Sequence, residues 1–117
     1  MKVGMVAIHY PRLGDRQEFI ARVQRAVDVM RPTPGCLSVD FWVTAAGDEV
    51  VSTGQWESET ALAASFATAR AAGVDFDYDE RESRPRQILR LVSPEEQRSQ
   101  PDELCSVTAP HQPQRTV

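Results

Sequence analysis

The order of elements along the chain is strand, helix, strand, strand, helix, strand. It predicts an α+β fold of the ferredoxin-like βαββαβ type, a four-stranded antiparallel sheet with two helices on one face. Three observations carry that expectation. Short runs rich in β-branched and aromatic residues alternate with two stretches whose apolar residues recur at a helical period. A glycine-containing turn joins the second and third strands as a hairpin. The first and last strands carry apolar residues on both faces, so each side of the sheet needs a cover.

The first strand is "VGMVAIHY", Val3 to Tyr10, and Pro11 ends it. Asp15 is placed to cap the first helix, with Glu18 three residues on as in a capping box. Phe19, Ile20, Val23, Val27 and Met30 then form one apolar face, until "RPTPG" (Arg31 to Gly35) stops the helix. "CLSVDFWVT" (Cys36 to Thr44) alternates, with Leu37, Val39, Phe41 and Val43 on one side. "AAGD" is a turn, and Glu49 to Glu57 returns as the third strand. Ser58 caps a helix over about Glu59 to Ala72, whose apolar face is Leu62, Phe66 and Ala69, and Gly73 closes it. After the acidic stretch "VDFDYDERESRP", Arg86 to Ser93 forms the last strand.

On the first strand Val3, Met5 and Ala7 share one face and Val6 and Ile8 the other; on the last, Ile88 and Val92 oppose Leu89 and Leu91. One short domain has no spare element to cover the helix-free face. A second subunit packing sheet against sheet is the economical solution, so a homodimer is expected.

The chain has 117 residues, enough for one domain, expected over 1–93, with a Pro/Gln-rich flexible tail over 94–117. Within that tail, "LCSV" at Leu104 to Val107 is a short apolar patch. Seventeen acids against thirteen bases give a net charge of -4, with no basic stripe, which argues against a nucleic-acid partner. No apolar run is long enough to cross a bilayer, and "VGMVAI" is too short for a secretory h-region, so no membrane partner and a cytoplasmic location are expected. Cys36 and Cys105 make neither a disulfide framework nor a zinc knuckle. Asp75, Asp77 and Asp79 open like a calcium loop. However, Glu80 stands where glycine is needed and Arg86 where the bidentate glutamate belongs, so "DFDYDE" reads as a solvated acidic loop that can act as a pocket lid, and no metal is expected.

"PGCLSVDFWV" (Pro34 to Val43), "GQWESETAL" (Gly54 to Leu62) and the helix opening "DRQEFIARV" resemble the antibiotic biosynthesis monooxygenase family, over roughly Val3 to Val92. The resemblance implies a dimeric α+β barrel of ferredoxin-like subunits. One branch of that family oxidises aromatic polyketides such as anthrones to quinones with molecular oxygen and no metal or flavin. Another opens haem with a first-strand asparagine, a tryptophan at the end of the third strand and a histidine ten residues later. Trp56 matches, but Phe66 stands at the histidine position and the chain contains no asparagine, which speaks against haem degradation. The cofactor-free branch also has an asparagine four residues before the tryptophan and an aromatic six after it; these positions are Ser52 and Leu62 here.

The candidate site follows from residues and resemblance together. Val50, Ser52, Gly54 and Trp56 share a strand face, and the small Ser52 and Gly54 leave volume beside the indole. The second helix carries Ala61, Ala64 and Ala67, read as facing that volume. Trp56 and Phe66 would line a pocket for a small hydrophobic aromatic substrate, Ser52 would offer a hydrogen bond, and Arg22 or Arg70 would meet a phenolate or carboxylate. His9, at the end of the first strand, is the candidate base and Trp56 is counted with it as a catalytic candidate, while Tyr10, on the opposite strand face, is a candidate substrate-binding residue. Arg90, alternating with leucines, reads as partly buried or at the dimer seam, where an ion pair is expected rather than catalysis. The expected activity is a cofactor-independent monooxygenase. The alternatives are a non-catalytic binding or assembly module and an isomerase or cyclase on the same fold.

Overall fold

A computed structural model of the protein describes residues 1–94, so the tail predicted from 94 onward, with its Leu104–Val107 patch, lies outside the described residues but for Pro94. The elements run β1 (Val3–His9), α1 (Arg16–Met30), β2 (Cys36–Val43), β3 (Val50–Trp56), α2 (Glu59–Ala71) and β4 (Gln87–Val92). All strand pairs are antiparallel, in the order β2-β3-β1-β4. This is the ferredoxin-like α+β arrangement that the element order predicts.

Ser58 caps α2 as expected, its hydroxyl accepting from the Ala61 N–H. Gly73 closes the helix: its N–H donates to Arg70 O and the Val74 N–H to Ala69 O, which pairs two of the last orphan carbonyls. The start of α1 differs from expectation. Leu13–Asp15 forms a turn of 3-10 helix, and Asp15 makes no side-chain cap, so the capping box with Glu18 does not form. β2 also departs from simple alternation. Cys36 and Ser38 pair with consecutive residues of β3, so a bulge at Leu37 turns that side chain outward to 49% exposure.

The register decides what each sheet face presents. Val3, Met5, Ala7 and His9 face the helices, beside Trp56, Gly54, Ser52 and Val50 respectively. The core gathers there, around Val3, Val27, Met30, Val39, Trp56, Leu62 and Ala69. On the helix-free side the register groups Val6, Ile8, Val51, Trp42, Leu89 and Leu91, and Trp42 is 66% exposed. Arg90 forms the expected ion pair, with Glu59 at 2.6 Å, an exposed pair of small energetic weight.

Gly54 is held to its type by its neighbour two residues on. A Cβ built at Gly54 lies 2.5 Å from Cη2 and 2.8 Å from Cζ3 of Trp56, because the indole folds back along its own strand. Gly54→Ala is therefore expected to destabilise the fold by about 1–3 kcal/mol through overpacking. Gly14→Ala, whose added carbon meets nothing within 4 Å, should cause no loss. Urea unfolding of the two variants side by side measures the contrast.

Candidate functional site

A cavity of about 300 Å³ lies between the helix-facing side of the sheet and α1. Its roof is one stripe of α1, Phe19, Arg22, Val23, Ala26, Val27 and Met30, at the spacing of a single helix face. Ala7, Ser52 and Gly54 form a floor of short side chains, with Met5 beside them. Phe66 and Arg70 of α2 and the segment Val74, Asp75 and Phe76 close one flank. Arg70, Asp75 and Ile88, all exposed, are the lining residues nearest solvent.

Trp56 and His9 mark the two ends. The indole lies over Gly54, which pairs with Met5; His9 is four residues further along β1, a run of about 13 Å at 3.3 Å per residue. The space between them runs along the strands. Its volume comes from Ala7 and Ser52 and from the depth beneath α1. Ala64 and Ala67 do not contribute: both are exposed on the far side of α2, contrary to the sequence expectation. The empty space beside Gly54 is filled by the indole itself.

Trp56 is only 1% exposed, and its Nε1–H donates to Ser65 Oγ at 2.9 Å. Ser65 Oγ is in turn bonded to Thr33 Oγ1, which donates to Met30 O. The indole N–H is thus committed within the protein, and the ring serves as a wall. Phe66 continues that wall, its centroid 6.2 Å from the indole and 5.0 Å from Phe76. The Arg70 guanidinium stacks over Phe66 and Phe76 at 5.9 and 5.5 Å.

At the other end, His9 packs its ring 5.1 Å from Phe19. Burial lowers its pKa from 6.5, and Arg86 and Arg22 push the same way against the opposing pull of Glu82, so the imidazole is neutral at pH 7. Tyr10 lies outside the cavity lining. Its hydroxyl accepts from Gln87 Nε2 at 2.7 Å and Arg84 covers its ring at 3.9 Å. The structure therefore brings His9, Ser52, Trp56, Phe66 and Arg70 around one cavity and leaves Tyr10 out.

Two charged residues matter more than the sequence indicated. Arg22 is 7% exposed, sits over Phe19 at 4.7 Å, and among the described residues makes a single hydrogen bond, to Asp75 O at 3.1 Å. The Asp75 carboxylate is 3.9 Å away, and Arg22 lines the cavity. The signal was present: Arg22 falls on the apolar stripe, three residues after Phe19 and four before Ala26. Glu82 is the second, with a side chain of 0% exposure beside His9 and Arg86. "DFDYDE" is exposed or half-buried throughout, as expected of a solvated loop, with Asp79 held down at about 2 by its hydrogen bonds from Arg81, and the buried Val74 and Glu82 flank it. Among the described residues no group of three or more His, Cys, Asp or Glu is placed to hold a metal ion. None of the helices described there is long and apolar enough to cross a membrane.

Residues 3–72 match the family described as antibiotic biosynthesis monooxygenase. The chain belongs to that family. A curated relative, tetracenomycin-F1 monooxygenase of Streptomyces glaucescens, is 37% identical over 71 residues, which is 61% of this chain and 62% of that protein. The chain thus matches less than two thirds of that relative's length. Among solved structures of similar fold, the Mycobacterium tuberculosis protein Rv0793 superposes with a TM-score of 0.66 at 26% identity, covering 80% of this chain and 95% of that one. SnoaB, a cofactor-independent oxygenase from Streptomyces nogalater, superposes with a TM-score of 0.60 at 13% identity, covering 79% of this chain and 92% of that one, a likeness of fold.

The charge state of His9 has a measurable consequence. With its folded-state pKa below 6.5, the unfolded chain binds more protons in the window between the two values. Unfolding free energy should rise with pH across that window and level off above 6.5. An NMR titration of the His9 ring should place its midpoint below 6.5, and urea unfolding at a series of pH values should show the slope, reduced in His9→Ala.

Proposed function

We propose that this family member is a cofactor-independent monooxygenase that oxidises a planar, phenolic polycyclic substrate of the anthrone type with molecular oxygen. The observation that carries the reading is the long apolar cavity with a neutral imidazole at one end and an aromatic wall at the other. The 37% identity to a tetracenomycin-F1 monooxygenase supports the reaction class.

The substrate lies along the strands between the indole and His9, over Ala7 and Ser52, with the Ser52 hydroxyl as a hydrogen-bond partner. His9 accepts the benzylic or phenolic proton, the work of a base that is neutral at the operating pH. The electron-rich anion left behind is stabilised by the Arg22 guanidinium, which shares the Phe19 ring with His9 and has donors to spare. That anion passes one electron to oxygen, the two radicals combine into a C–O bond, and the resulting peroxide loses water. The methylene becomes a carbonyl, one oxygen atom enters the product and the other leaves in water. Exclusion of water by the apolar walls protects the anion from reprotonation.

Incubation with an anthrone under air, in the presence of a chelator and without flavin, should consume one oxygen molecule per quinone formed. His9→Ala should slow the reaction by about 10²- to 10⁴-fold, the usual contribution of a positioned base. No acceleration over buffer across a panel of anthrones would end this reading. Turnover of such a substrate under argon would identify an isomerase or cyclase instead, and binding without turnover a binding module.

We propose also that the chain works as a homodimer, joined through the helix-free sheet face of Val6, Ile8, Val51, Trp42, Leu89 and Leu91. The apolar character of that face, with Trp42 at 66% exposure, supports it. Sedimentation at micromolar concentration should give twice the 13.0 kDa chain mass, and Trp42→Glu should shift the species toward monomer. A 13.0 kDa species for the unaltered chain would rule the dimer out.

A further inference from the structure

We infer that Glu82 is a positioning residue for His9: it holds the proton of the neutral imidazole on Nδ1 and so leaves Nε2 as the basic atom toward the cavity. The inference rests on the proposed role of His9 as the base, but its central measurement does not.

The backbone brings Glu82 to this place. After α2 the chain returns beside the end of β1, where Pro11 pairs with Glu82 as an isolated antiparallel bridge. On either side, the Arg12 N–H donates to Arg81 O and the Ser83 N–H to Tyr10 O, both at 2.8 Å. The residues just after His9 are thus stitched to the residues around Glu82, and the carboxylate is delivered to the back of the imidazole. Nothing in the local sequence of the acidic stretch distinguishes this glutamate from its neighbours.

The carboxylate is divided between two partners. Oε2 receives the Arg86 Nη2 donor, and Arg86 is itself fixed by donation from Nη1 to Phe76 O at 2.6 Å. Oε1 faces His9 Nδ1 at 3.5 Å. Both of these atoms are buried, and neither has another hydrogen-bond partner; the same holds for Arg86 Nε. Ion-paired with Arg86, the Glu82 carboxylate can only accept, so the two buried atoms satisfy each other when the imidazole proton sits on Nδ1 and points at Oε1. The gap closes with a small rotation of the ring, the tightening expected when a ligand fills the cavity.

The other groups facing His9 do not select a tautomer. Phe19 packs against the ring at a tilt of 55°, and Arg22 and Arg86 oppose its protonation as a whole. Only Glu82 distinguishes one nitrogen from the other. A base oriented by a buried carboxylate, itself clamped by a guanidinium, is the nucleophile-activation logic of a triad applied to substrate deprotonation. Without it, a neutral His9 is free to carry its proton on Nε2, where it cannot accept another.

Long-range ¹H–¹⁵N NMR of the unaltered protein at pH 7.5 reads the tautomer directly, with the His9 signals assigned by their loss in His9→Ala. The expected result is protonated Nδ1 and unprotonated Nε2. A predominant Nε2–H form, or an even mixture, overturns the inference whatever the enzyme does. In Glu82→Gln the amide offers a donor to Nδ1, so the proton should move to Nε2. The kcat for anthrone oxidation should then fall by about 10²-fold or more while KM changes little. Glu82→Asp, which keeps the charge, should retain the Nδ1–H form and recover part of the rate. A Glu82→Gln protein that folds and keeps both tautomer and kcat also overturns it. If the tautomer is as expected and no anthrone is oxidised, the proposed oxidation fails and the orientation of His9 by Glu82 stands.

Discussion

The fold back of Trp56 over Gly54 is the constraint on which the arrangement depends. The indole occupies the space a side chain at Gly54 would need, so it lies flat along β3. Its Nε1–H ends on Ser65 of α2, and Ser65 joins Thr33, in the connection between α1 and β2. Three separate parts of the chain therefore meet on one buried ring. The net gain of such a hydrogen bond is about 1 kcal/mol, but leaving the indole N–H buried without an acceptor would cost about 1–3 kcal/mol. That asymmetry ties the position of α2 to the orientation of the ring.

The cavity is a consequence of where this anchor sits. The indole takes up the space over Gly54 and bounds the cavity at that end, and the core continues beyond it through Val3 and Leu62. Toward His9 the side chains shorten to Ser52 and Ala7, while α1 continues above them with Phe19, Arg22 and Val23. The helix lies across a floor that falls away from it. Protein interiors normally close such gaps by rotamer choice and small shifts. Here β1 and β3 are the central strands, each paired on both sides, which limits how far the floor can rise.

Much of this was legible in the sequence, and the failures have physical causes. The element order, the α2 cap and its glycine stop depend on local chemistry, and they appear where the residues place them. So does the shared face of Ser52, Gly54 and Trp56, which follows from strand alternation. The bulge at Leu37 was hidden because alternation assumes an unbroken ladder. Ala64 and Ala67 misled because alanine is common on exposed helix faces as well as in cores. Arg22 was visible by position, on the apolar stripe, though arginine's usual place is in water. Glu82 carried no local sign. Its burial depends on a bridge to Pro11, 71 positions away in the chain, and no periodicity encodes that contact.

The same bridge explains how an apolar cavity can hold guanidinium groups at its wall. Arg22, Arg70 and Arg86 all line it, and a buried cation without partners is costly. Each has partners in or beside the segment between α2 and β4. Arg22 and Arg86 donate to backbone carbonyls of Asp75, Phe76 and Asp77, Glu82 neutralises Arg86, and Arg70 rests on two aromatic faces. The segment between α2 and β4 thus supplies carbonyls and carboxylate to these groups, whose positive charges stand at the cavity wall. A neutral aromatic molecule enters such a space for its apolar walls. Once it loses a proton, the resulting anion gains from the arginines what the neutral form could not. In the proposed reaction, that difference between the two charge states is what would acidify a bound phenol or benzylic carbon, and it arises from a loop whose acidic composition, read alone, points the other way.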